Sequence, residues 1–153
     1  RTRVGHSFIK AKMAETNAVF GGEHSAHYYF RDFWRADSGM LAAMHVLAAL
    51  GQQDKPLSEM MAKYNRYAAS GEINSRLDSA EAQADRTEAV VKAFADRAEN
   101  VDRLDGVTVE LKDGNWFNVR ASNTEPLLRL NVEADTQEAV DALVKEILAI
   151  IRA

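Results

Sequence analysis

Apolar and polar residues alternate regularly in the second half of the chain, which predicts antiparallel strands. Residues 107–112 alternate, with three apolar side chains on one face, and residues 128–132 repeat the pattern. Asp113 and Gly114 form a hairpin turn signal that leads into a further strand at residues 116–120. The pattern therefore predicts a meander of short strands with one buried face.

Two amphipathic helices are predicted to cover that face. Asp85 with Glu88, and Asp135 with Glu138, have the spacing of a capping box at a helix start. An edge strand at residues 73–77 completes a predicted α+β domain over residues 70–153, a meander sheet with two helices on one face. The predicted apolar stripes are Val91, Phe94, Ala95 and Ala98 in the first helix, and Val140, Leu143, Val144, Ile147, Leu148 and Ile151 in the second.

The first third of the chain has the pattern of short α/β units. Ser7 is predicted to cap a helix over residues 8–15, and short strands are predicted at 18–20 and 27–30. Two or three short strands make a thin core, so residues 1–62 are predicted to be an α/β fragment, joined to the α+β domain by a hinge at 63–69. Two further helices are predicted, from Ser38 to Gly51 with Met40, Leu41, Met44, Leu47 and Ala48 on one face, and over residues 57–67 with Pro56 in the first turn.

Composition narrows the classes of partner. The chain has 153 residues, a formal net charge of −4 and no cysteine. A mildly acidic chain has no general attraction for nucleic acid or anionic membrane, so neither is an expected partner. The absence of cysteine excludes disulfides and thiolate chemistry and favours a cytoplasmic location. The first residues are Arg1-Thr2-Arg3, without an initiator methionine, and a fragment or processed chain is therefore expected.

One candidate binding loop lies between the strands predicted at 116–120 and 128–132. Arg120, Ser122, Asn123 and Thr124 offer a guanidinium, two hydroxyls and an amide within a few residues, and Arg129 on the next strand is a second candidate cation. A phosphate dianion is bound well by charge-assisted bonds from arginine together with hydroxyl and N–H donors. The alternative is an ordinary polar turn whose side chains satisfy their own backbone.

A second candidate loop follows two adjacent glycines. Glu23, Ser25 and His27 occupy alternate positions of an extended segment, where a carboxylate, a hydroxyl and an imidazole suit the vicinal hydroxyls of a sugar. A metal site made of His24, His27, Glu23 and His6 is a weaker alternative, since the spacing matches no compact ligand set. A plain glycine turn with exposed polar residues is the third interpretation.

His6 lies where a predicted strand meets a predicted helix. A helix N-terminus favours anions, so His6 is a candidate for proton transfer or substrate orientation, and Lys10 is a candidate to help hold an anion. A solvent-facing or capping role is the alternative for His6, and a solvated helix face is the alternative for Lys10. His45 lies in an apolar helical face and is predicted to be a core residue.

Three motifs in this order resemble the C-terminal part of the α-D-phosphohexomutases, and most closely the bacterial phosphomannomutase branch. The resemblance covers nearly the whole chain, and Ala26 stands where many phosphohexomutases have glycine. The matching segments are Val4-Gly5-His6-Ser7, Gly22-Glu23-His24-Ser25-Ala26-His27 and Arg120-Ala121-Ser122-Asn123-Thr124-Glu125-Pro126.

The resemblance implies a fold and a set of roles. Residues 1–62 would be the end of phosphohexomutase domain 3, and residues 70–153 the whole of domain 4. The implied substrate is a hexose phosphate. The implied reaction interconverts the 1- and 6-phosphates of mannose, and by extension those of glucose, through a bisphosphate. The implied roles are sugar binding by Glu23, Ser25 and His27, proton transfer or orientation by His6, and phosphate binding by Arg120, Ser122, Asn123 and Thr124.

Two family parts are absent from this sequence, the Ser-His-Asn phosphoserine loop and the Asp-x-Asp-x-Asp magnesium loop. The resemblance implies that Mg²⁺ and both loops belong to the full-length enzyme, and that this chain binds no metal and is inactive alone. Missing N-terminal domains are the expected partners, and residues 1–62 are expected to self-associate or to be partly disordered without them. The alternatives are a stand-alone phosphosugar-binding module and a domain whose loops bind nothing.

Overall fold

The computed structural model describes residues 1–122 and 125–153. They form two compact units, Arg1–Tyr64 and Asn65–Ala153, and the division lies within the 63–69 segment whose hinge role stays a prediction. No described helix is both long and apolar enough to cross a membrane. In chain order the elements are α1 (His6–Thr16), β1 (Phe20–Gly22), β2 (Tyr28–Phe30), β3 (Ala36–Asp37), α2 (Gly39–Leu50), α3 (Leu57–Ala62), β4 (Ala68–Ala69), β5 (Ile73–Arg76), α4 (Ala80–Ala93), β6 (Ala98–Asp102), β7 (Val107–Leu111), β8 (Trp116–Ala121), β9 (Leu127–Ala134) and α5 (Gln137–Ile151).

The second unit contains a six-stranded antiparallel sheet. Its strand order is β4-β9-β8-β7-β6, and β5 also pairs with β9. Strands β6 to β9 are neighbours both in sequence and in the sheet, which is the predicted meander, whereas β4 and β5 lie along the other edge of β9. Helices α4 and α5 contact each other and this sheet. The predicted α+β architecture is confirmed.

The core of this unit lies between the sheet and the two helices. Successive strand residues point to opposite faces, so alternate positions of β8 and β9 are buried. Phe94, the residue that caps the C-terminus of α4, contacts Phe117 of β8 edge to face, with ring centroids 4.9 Å apart. The predicted stripe of the last helix is confirmed, because Val140, Leu143, Ile147 and Ile151 are buried in this core and Val144 and Leu148 pack against it.

Two helix starts differ from the capping-box prediction. Helix α4 begins after Ser79, whose hydroxyl accepts the backbone N–H of Ala82 at 3.0 Å, so the predicted start at Asp85 was wrong. Thr136 caps α5 in the same way, one residue after Asp135. Ser79 and Thr136 are the caps because the side-chain oxygen of each accepts a backbone N–H of the first turn, which has no acceptor within the helix. Ala98, expected in a helix, begins strand β6 instead.

The first unit has a three-stranded antiparallel sheet in the order β1-β2-β3, with α1 in contact with β1 and β3. Ile9, Met13 and Tyr29 form its buried apolar cluster. A Cβ added to Gly21 would stand 3.1 Å from the Met13 sulfur and 3.2 Å from Ile9, so glycine lets α1 pack closely on β1.

Helix boundaries in this unit agree with the sequence in part. Ser38 caps α2, accepting the N–H of Leu41 at 3.2 Å, and Gly51 ends the helix, as predicted. Helix α1 instead begins after Gly5, whose φ of 126° places the chain where glycine is favoured, so Ser7 is not the cap. Strand β1 lies at residues 20–22 rather than 18–20, and α3 ends at Ala62 rather than near 67.

The apolar face predicted for α2 is exposed in the described unit. The exposed fractions are 74% for Met40, 59% for Met44 and 64% for Leu47, and no residue of the helix is buried. The periodicity that predicts a helix was therefore right, but the described part of this unit does not bury the face on which those residues lie. Burial needs a partner surface, which helical spacing alone cannot supply.

Candidate functional site

The first candidate site is the loop that joins β1 to β2. Its backbone is closed by two hydrogen bonds, from the N–H of Glu23 to the carbonyl of His27 at 2.9 Å and from the N–H of Ala26 to the carbonyl of Glu23 at 3.0 Å. Ser25 and His27 are exposed and Glu23 is half-buried. The structure thus places Glu23, Ser25 and His27 on one short hairpin loop, where a soluble ligand could reach them.

Ala26 gives this loop an unusual backbone. Its φ of 64° lies in the left-handed region, which side chains with a Cβ adopt at a cost. The same conformation is free of strain for glycine, which many phosphohexomutases have at this position. The alanine therefore keeps the turn but stores strain in it.

Tyr29 supports the loop from inside the unit. Its side chain is 1% exposed and lies in the cluster with Ile9 and Met13. Its hydroxyl donates a short hydrogen bond to Oε1 of Glu23. Burial, and next the bond to the Glu23 carboxylate, raises the pKa of Tyr29 above its usual range, so the phenol remains protonated and continues to donate.

His27 is paired with a side chain of the neighbouring strand. Nδ1 of His27 lies 3.0 Å from Oδ2 of Asp37 on β3. This hydrogen bond is the main reason why the pKa of His27 is raised and the pKa of Asp37 is lowered. The raised pKa favours the imidazolium, and the loop therefore presents a carboxylate, a hydroxyl and an ionisable ring together.

The remaining candidates of this unit lie on helices. His6 is the first residue of α1 and Lys10 follows one turn later, and both are exposed. The charge of His6 contributes to the lowered pKa of Asp37. His45 is exposed and stacks on Phe30 with ring centroids 5.4 Å apart, so its predicted place in the core was wrong.

A metal site is not formed by the candidate ligands. Within residues 1–122 and 125–153 no group of at least three His, Cys, Asp or Glu side chains is placed to hold a metal ion. His6, Glu23, His24 and His27 all belong to this part of the chain, so the alternative metal interpretation lacks a ligand cluster.

The second candidate site is the loop that joins β8 to β9. The N–H of Ser122 donates to the carbonyl of Leu127 at 2.8 Å, and the hydroxyl of Ser122 accepts the N–H of Glu125 at 3.3 Å. Asn123 and Thr124, two of the predicted phosphate ligands, lie outside the described residues. In the described part of this loop, Arg120 lies on β8 and Ser122 directly follows the last residue of that strand, Ala121.

Two arginines stand side by side beneath this loop. Arg120 and Arg129 are direct register partners on β8 and β9, with side chains 19% and 25% exposed. Nε of Arg120 lies 3.8 Å from Asp105, while Arg129 lies 3.6 Å from both Glu72 and Glu125. Nε of Arg129 is buried and makes no hydrogen bond within the described part of the chain. The two arginines are thus neighbours across the β8–β9 pair, and each is only loosely neutralised by carboxylates.

The turn that carries Asp105 is pressed against β8. A Cβ on Gly106, whose φ is 66°, would lie 2.5 Å from the carbonyl oxygen of Val119 and 2.8 Å from Cβ of Arg120. The side-chain amide of Asn118 donates to the carbonyl of Asp105 at 3.1 Å. Glycine is required at this position, and the close approach brings the Asp105 carboxylate to Arg120.

Comparisons with known proteins agree over nearly the whole chain. The family model described as phosphoglucomutase/phosphomannomutase, alpha/beta/alpha domain III, matches residues 1–67, and the model of the C-terminal domain matches residues 72–150. This chain belongs to the phosphoglucomutase/phosphomannomutase family. The predicted resemblance is thereby confirmed.

Named relatives give the same result. A phosphomannomutase of Methanocaldococcus jannaschii is 41% identical over 99% of this chain, and a phosphomannomutase of Escherichia coli K12 is 44% identical over 87%. A Burkholderia thailandensis structure of a phosphoglucomutase/phosphomannomutase family protein matches 99% of the chain with a TM-score of 0.75 and 27% identity. The chain spans only 32%, 28% and 32% of the length of these proteins, respectively.

Sequence reasoning missed the side chains that support the two loops. Tyr29 was assigned only to a strand, and Asp37, Asp105 and Glu72 were not singled out. Asp105-Gly106 is a recognisable turn signal, which could have located one of them. No sequence signal identifies Tyr29 and Asp37 as the partners of Glu23 and His27, because these contacts depend on strand register.

Proposed function

We propose that this chain supplies the sugar-binding and phosphate-binding loops of a phosphohexomutase of the phosphomannomutase type. The full-length enzyme would interconvert mannose 1-phosphate and mannose 6-phosphate through a bisphosphate, with glucose phosphates as further substrates. Glu23, Ser25 and His27 bind the sugar hydroxyls, and His6 orients the reacting hydroxyl or transfers its proton. The observation that carries the proposal is the pairing of Arg120 with Arg129 beside Ser122.

The chemistry of that pair supports phosphate binding. Arginine binds a phosphate dianion through charge-assisted, bidentate hydrogen bonds, and Arg129 has a buried Nε that no described residue satisfies. The carboxylates of Asp105, Glu72 and Glu125 are at 3.6–3.8 Å, too long for hydrogen bonds. A phosphate can therefore replace weak partners with strong ones. Arg120, Ser122, Asn123 and Thr124 would hold the phosphate that is not transferred, with Arg129 as a second cation and Lys10 as a further anion contact.

In this proposal Mg²⁺ is bound by a part of the full-length enzyme outside this chain. No described group of side chains fits Mg²⁺, and the sequence contains no aspartate-rich metal loop or phosphoserine loop. We assign both loops to the missing N-terminal domains of the enzyme, and we derive no step of the reaction through a metal in this chain. A cytoplasmic location is proposed on the substrate class and the cysteine-free composition.

Arg120→Ala in the full-length enzyme tests the phosphate role. A charge-assisted hydrogen bond to a phosphate contributes about 1.5–3 kcal/mol, so kcat/KM for mannose 1-phosphate should fall by at least roughly tenfold. Arg97→Ala is the control, because Arg97 is an exposed arginine paired with Glu146. Its neighbour Ala98 pairs with Leu111, at the opposite end of β7 from Val107 and the contact between Asp105 and Arg120. Unchanged kinetics together with a lower melting temperature would assign Arg120 a structural role instead.

The chain alone provides the second test. Without a phosphoserine and a metal it should convert no mannose 1-phosphate, which ³¹P nuclear magnetic resonance can follow directly. Turnover by the purified 153-residue chain would contradict the proposal. Binding of phosphosugar without turnover by any longer form of the protein would favour a stand-alone binding module.

A further inference from the structure

We call the loop that joins β1 to β2 the sugar loop. A side chain of the three-stranded sheet contacts a residue at each end of it. Tyr29 donates to the Glu23 carboxylate, and Asp37 lies 3.0 Å from Nδ1 of His27. Tyr29 and Asp37 are themselves register partners on β2 and β3. We propose that this cross-strand pair acts as two positioning residues, which set the orientation of Glu23 and His27 for sugar recognition. The inference rests on the proposed function.

The Tyr29 contact fixes one oxygen of the carboxylate. The tyrosine ring is buried with Ile9 and Met13, so its hydroxyl has a definite place in the unit. A carboxylate offers about four acceptor positions, of which this bond uses one and leaves the others for sugar hydroxyls. Because Glu23 is itself on a loop, the bond to a core residue reduces the ordering that ligand binding would otherwise require.

The Asp37 contact selects a form of the imidazole. An Nδ1–H that donates to Asp37 leaves Nε2 as the second hydrogen-bonding atom, an acceptor in the neutral ring and a donor in the imidazolium. Asp37 is held in turn by its neighbour Ser38, whose N–H donates to the carbonyl of Tyr28 at 3.0 Å and whose hydroxyl caps α2. The charged groups near the ring are Glu23 and Asp37, and His6 lies near Asp37.

The Asp37 contact can be tested on the chain itself by nuclear magnetic resonance titration of the His27 ring. The raised pKa of His27 should fall toward its ordinary value in Asp37→Asn, because the carboxylate that stabilises the imidazolium is gone. Asp32→Asn is the matched control, since Asp32 is an exposed aspartate paired with Arg31 and not with histidine. The His27 pKa should be unchanged in the control. Equal titration of His27 in wild type and Asp37→Asn would overturn this part of the inference.

The Tyr29 contact is tested by kinetics of the full-length enzyme. Tyr29→Phe removes only the hydroxyl and should raise KM for mannose 1-phosphate about tenfold with little change in kcat, because the bond it loses orients a binding group. Tyr28→Phe is the control, a neighbouring tyrosine with no described hydrogen bond from its hydroxyl. In a Glu23→Ala background, where the acceptor of the Tyr29 hydroxyl is removed, the effect of Tyr29→Phe should largely disappear, because Tyr29 acts through Glu23.

The outcomes separate this inference from the proposed function. A wild-type enzyme that leaves mannose 1-phosphate unchanged would refute the proposed function, while the His27 titration would still decide the contact with Asp37. In an active enzyme, a Tyr29→Phe variant with unchanged KM, or with the same loss in the Glu23→Ala background, would overturn the positioning role. If Tyr29→Phe fails to fold, as circular dichroism would reveal, the titration of His27 in Asp37→Asn decides, and an unchanged His27 pKa overturns the inference.

Discussion

The unit Asn65–Ala153 buries a continuous apolar core between a six-stranded sheet and two helices. The unit Arg1–Tyr64 buries an apolar cluster of Ile9, Met13 and Tyr29 and exposes most of the apolar side chains of α2. A sheet with a covered face stabilises itself, whereas a short three-stranded sheet offers little area to bury. The loop between β8 and β9, which we propose binds phosphate, therefore belongs to the unit with a large buried core. The sugar loop belongs to the unit with a small one.

The same contrast appears in the backbone. In the second unit the described left-handed positions are glycines, at Gly71, Gly106 and Gly114. In the first unit Asn17, Ala26, Trp34 and Arg35 all adopt φ between 51° and 64°. Non-glycine residues in this region cost about 1–3 kcal/mol each and persist where surrounding structure holds them. Strain thus collects in the unit with the smaller core, and one of these residues, Ala26, lies in the loop that we propose binds the sugar.

The largest expected effect is a difference in hydrogen exchange between the units. Amides of α4, α5 and β7–β9 should be protected at least about 100-fold more strongly than those of β1 and β2 in the purified chain, because local opening follows the buried contacts. The alternative expectation is that a second copy of the chain covers the exposed apolar side chains of the first unit. Such self-association through residues 1–62 would be detected by sedimentation. Strong protection of residues 18–30 in a strictly monomeric sample would contradict both forms of this prediction.

Truncation of one side chain in each unit should give the next largest difference. Phe117→Ala removes a ring that is 0% exposed and should lower the free energy of unfolding by about 3–5 kcal/mol. Met44→Ala removes a side chain that is 59% exposed and should change it by no more than about 0.5 kcal/mol. Urea denaturation followed by circular dichroism measures both. A large loss from Met44→Ala would mean that α2 is covered in solution.

Gly106→Ala should destabilise the second unit by about 3 kcal/mol, the sum of a left-handed alanine and an overpacked contact. Gly114→Ala is the matched control, because its φ of 87° carries the same backbone cost while no atom lies within 4 Å of the added Cβ. The control should lose only about 1 kcal/mol. Equal losses would show that the contact with Val119 relaxes easily.

The smallest effect is expected from Ala26→Gly in the sugar loop. Glycine relieves the left-handed strain, which stabilises the fold by about 1 kcal/mol, but it also makes the unfolded chain more flexible, which destabilises the fold. The two effects should nearly cancel, so the free energy of unfolding should change by no more than about 0.5 kcal/mol. Ser25→Gly is the comparison, since Ser25 has no left-handed backbone to relieve and should lose stability. Thermal denaturation of both variants measures the difference. A larger loss for Ala26→Gly than for Ser25→Gly would contradict the strain assigned to this turn.

Elements with a strong local signal were predictable from sequence. The strand predicted at residues 107–112 is β7, Val107–Leu111, and the cap and end of α2 at Ser38 and Gly51 were also correct. The start of α4 was not, because two cap sequences compete and the helix-forming residues after Ser79 favour the earlier one. Strand β6 was missed because its partner is β7 and its own residues, 98–102, have no strand alternation.

The sequence by itself determined the family, the two motif loops and the residue types that they carry, because these signals lie within a few neighbouring residues. Only the tertiary structure decided that Arg120 faces Arg129, that Tyr29 bonds to Glu23 and that Asp37 bonds to His27. The first of these contacts joins register partners, and the other two depend on register because Tyr29 and Asp37 are themselves paired across β2 and β3. Register is set by pairing between distant segments and by the burial of one sheet face, so local sequence cannot specify it.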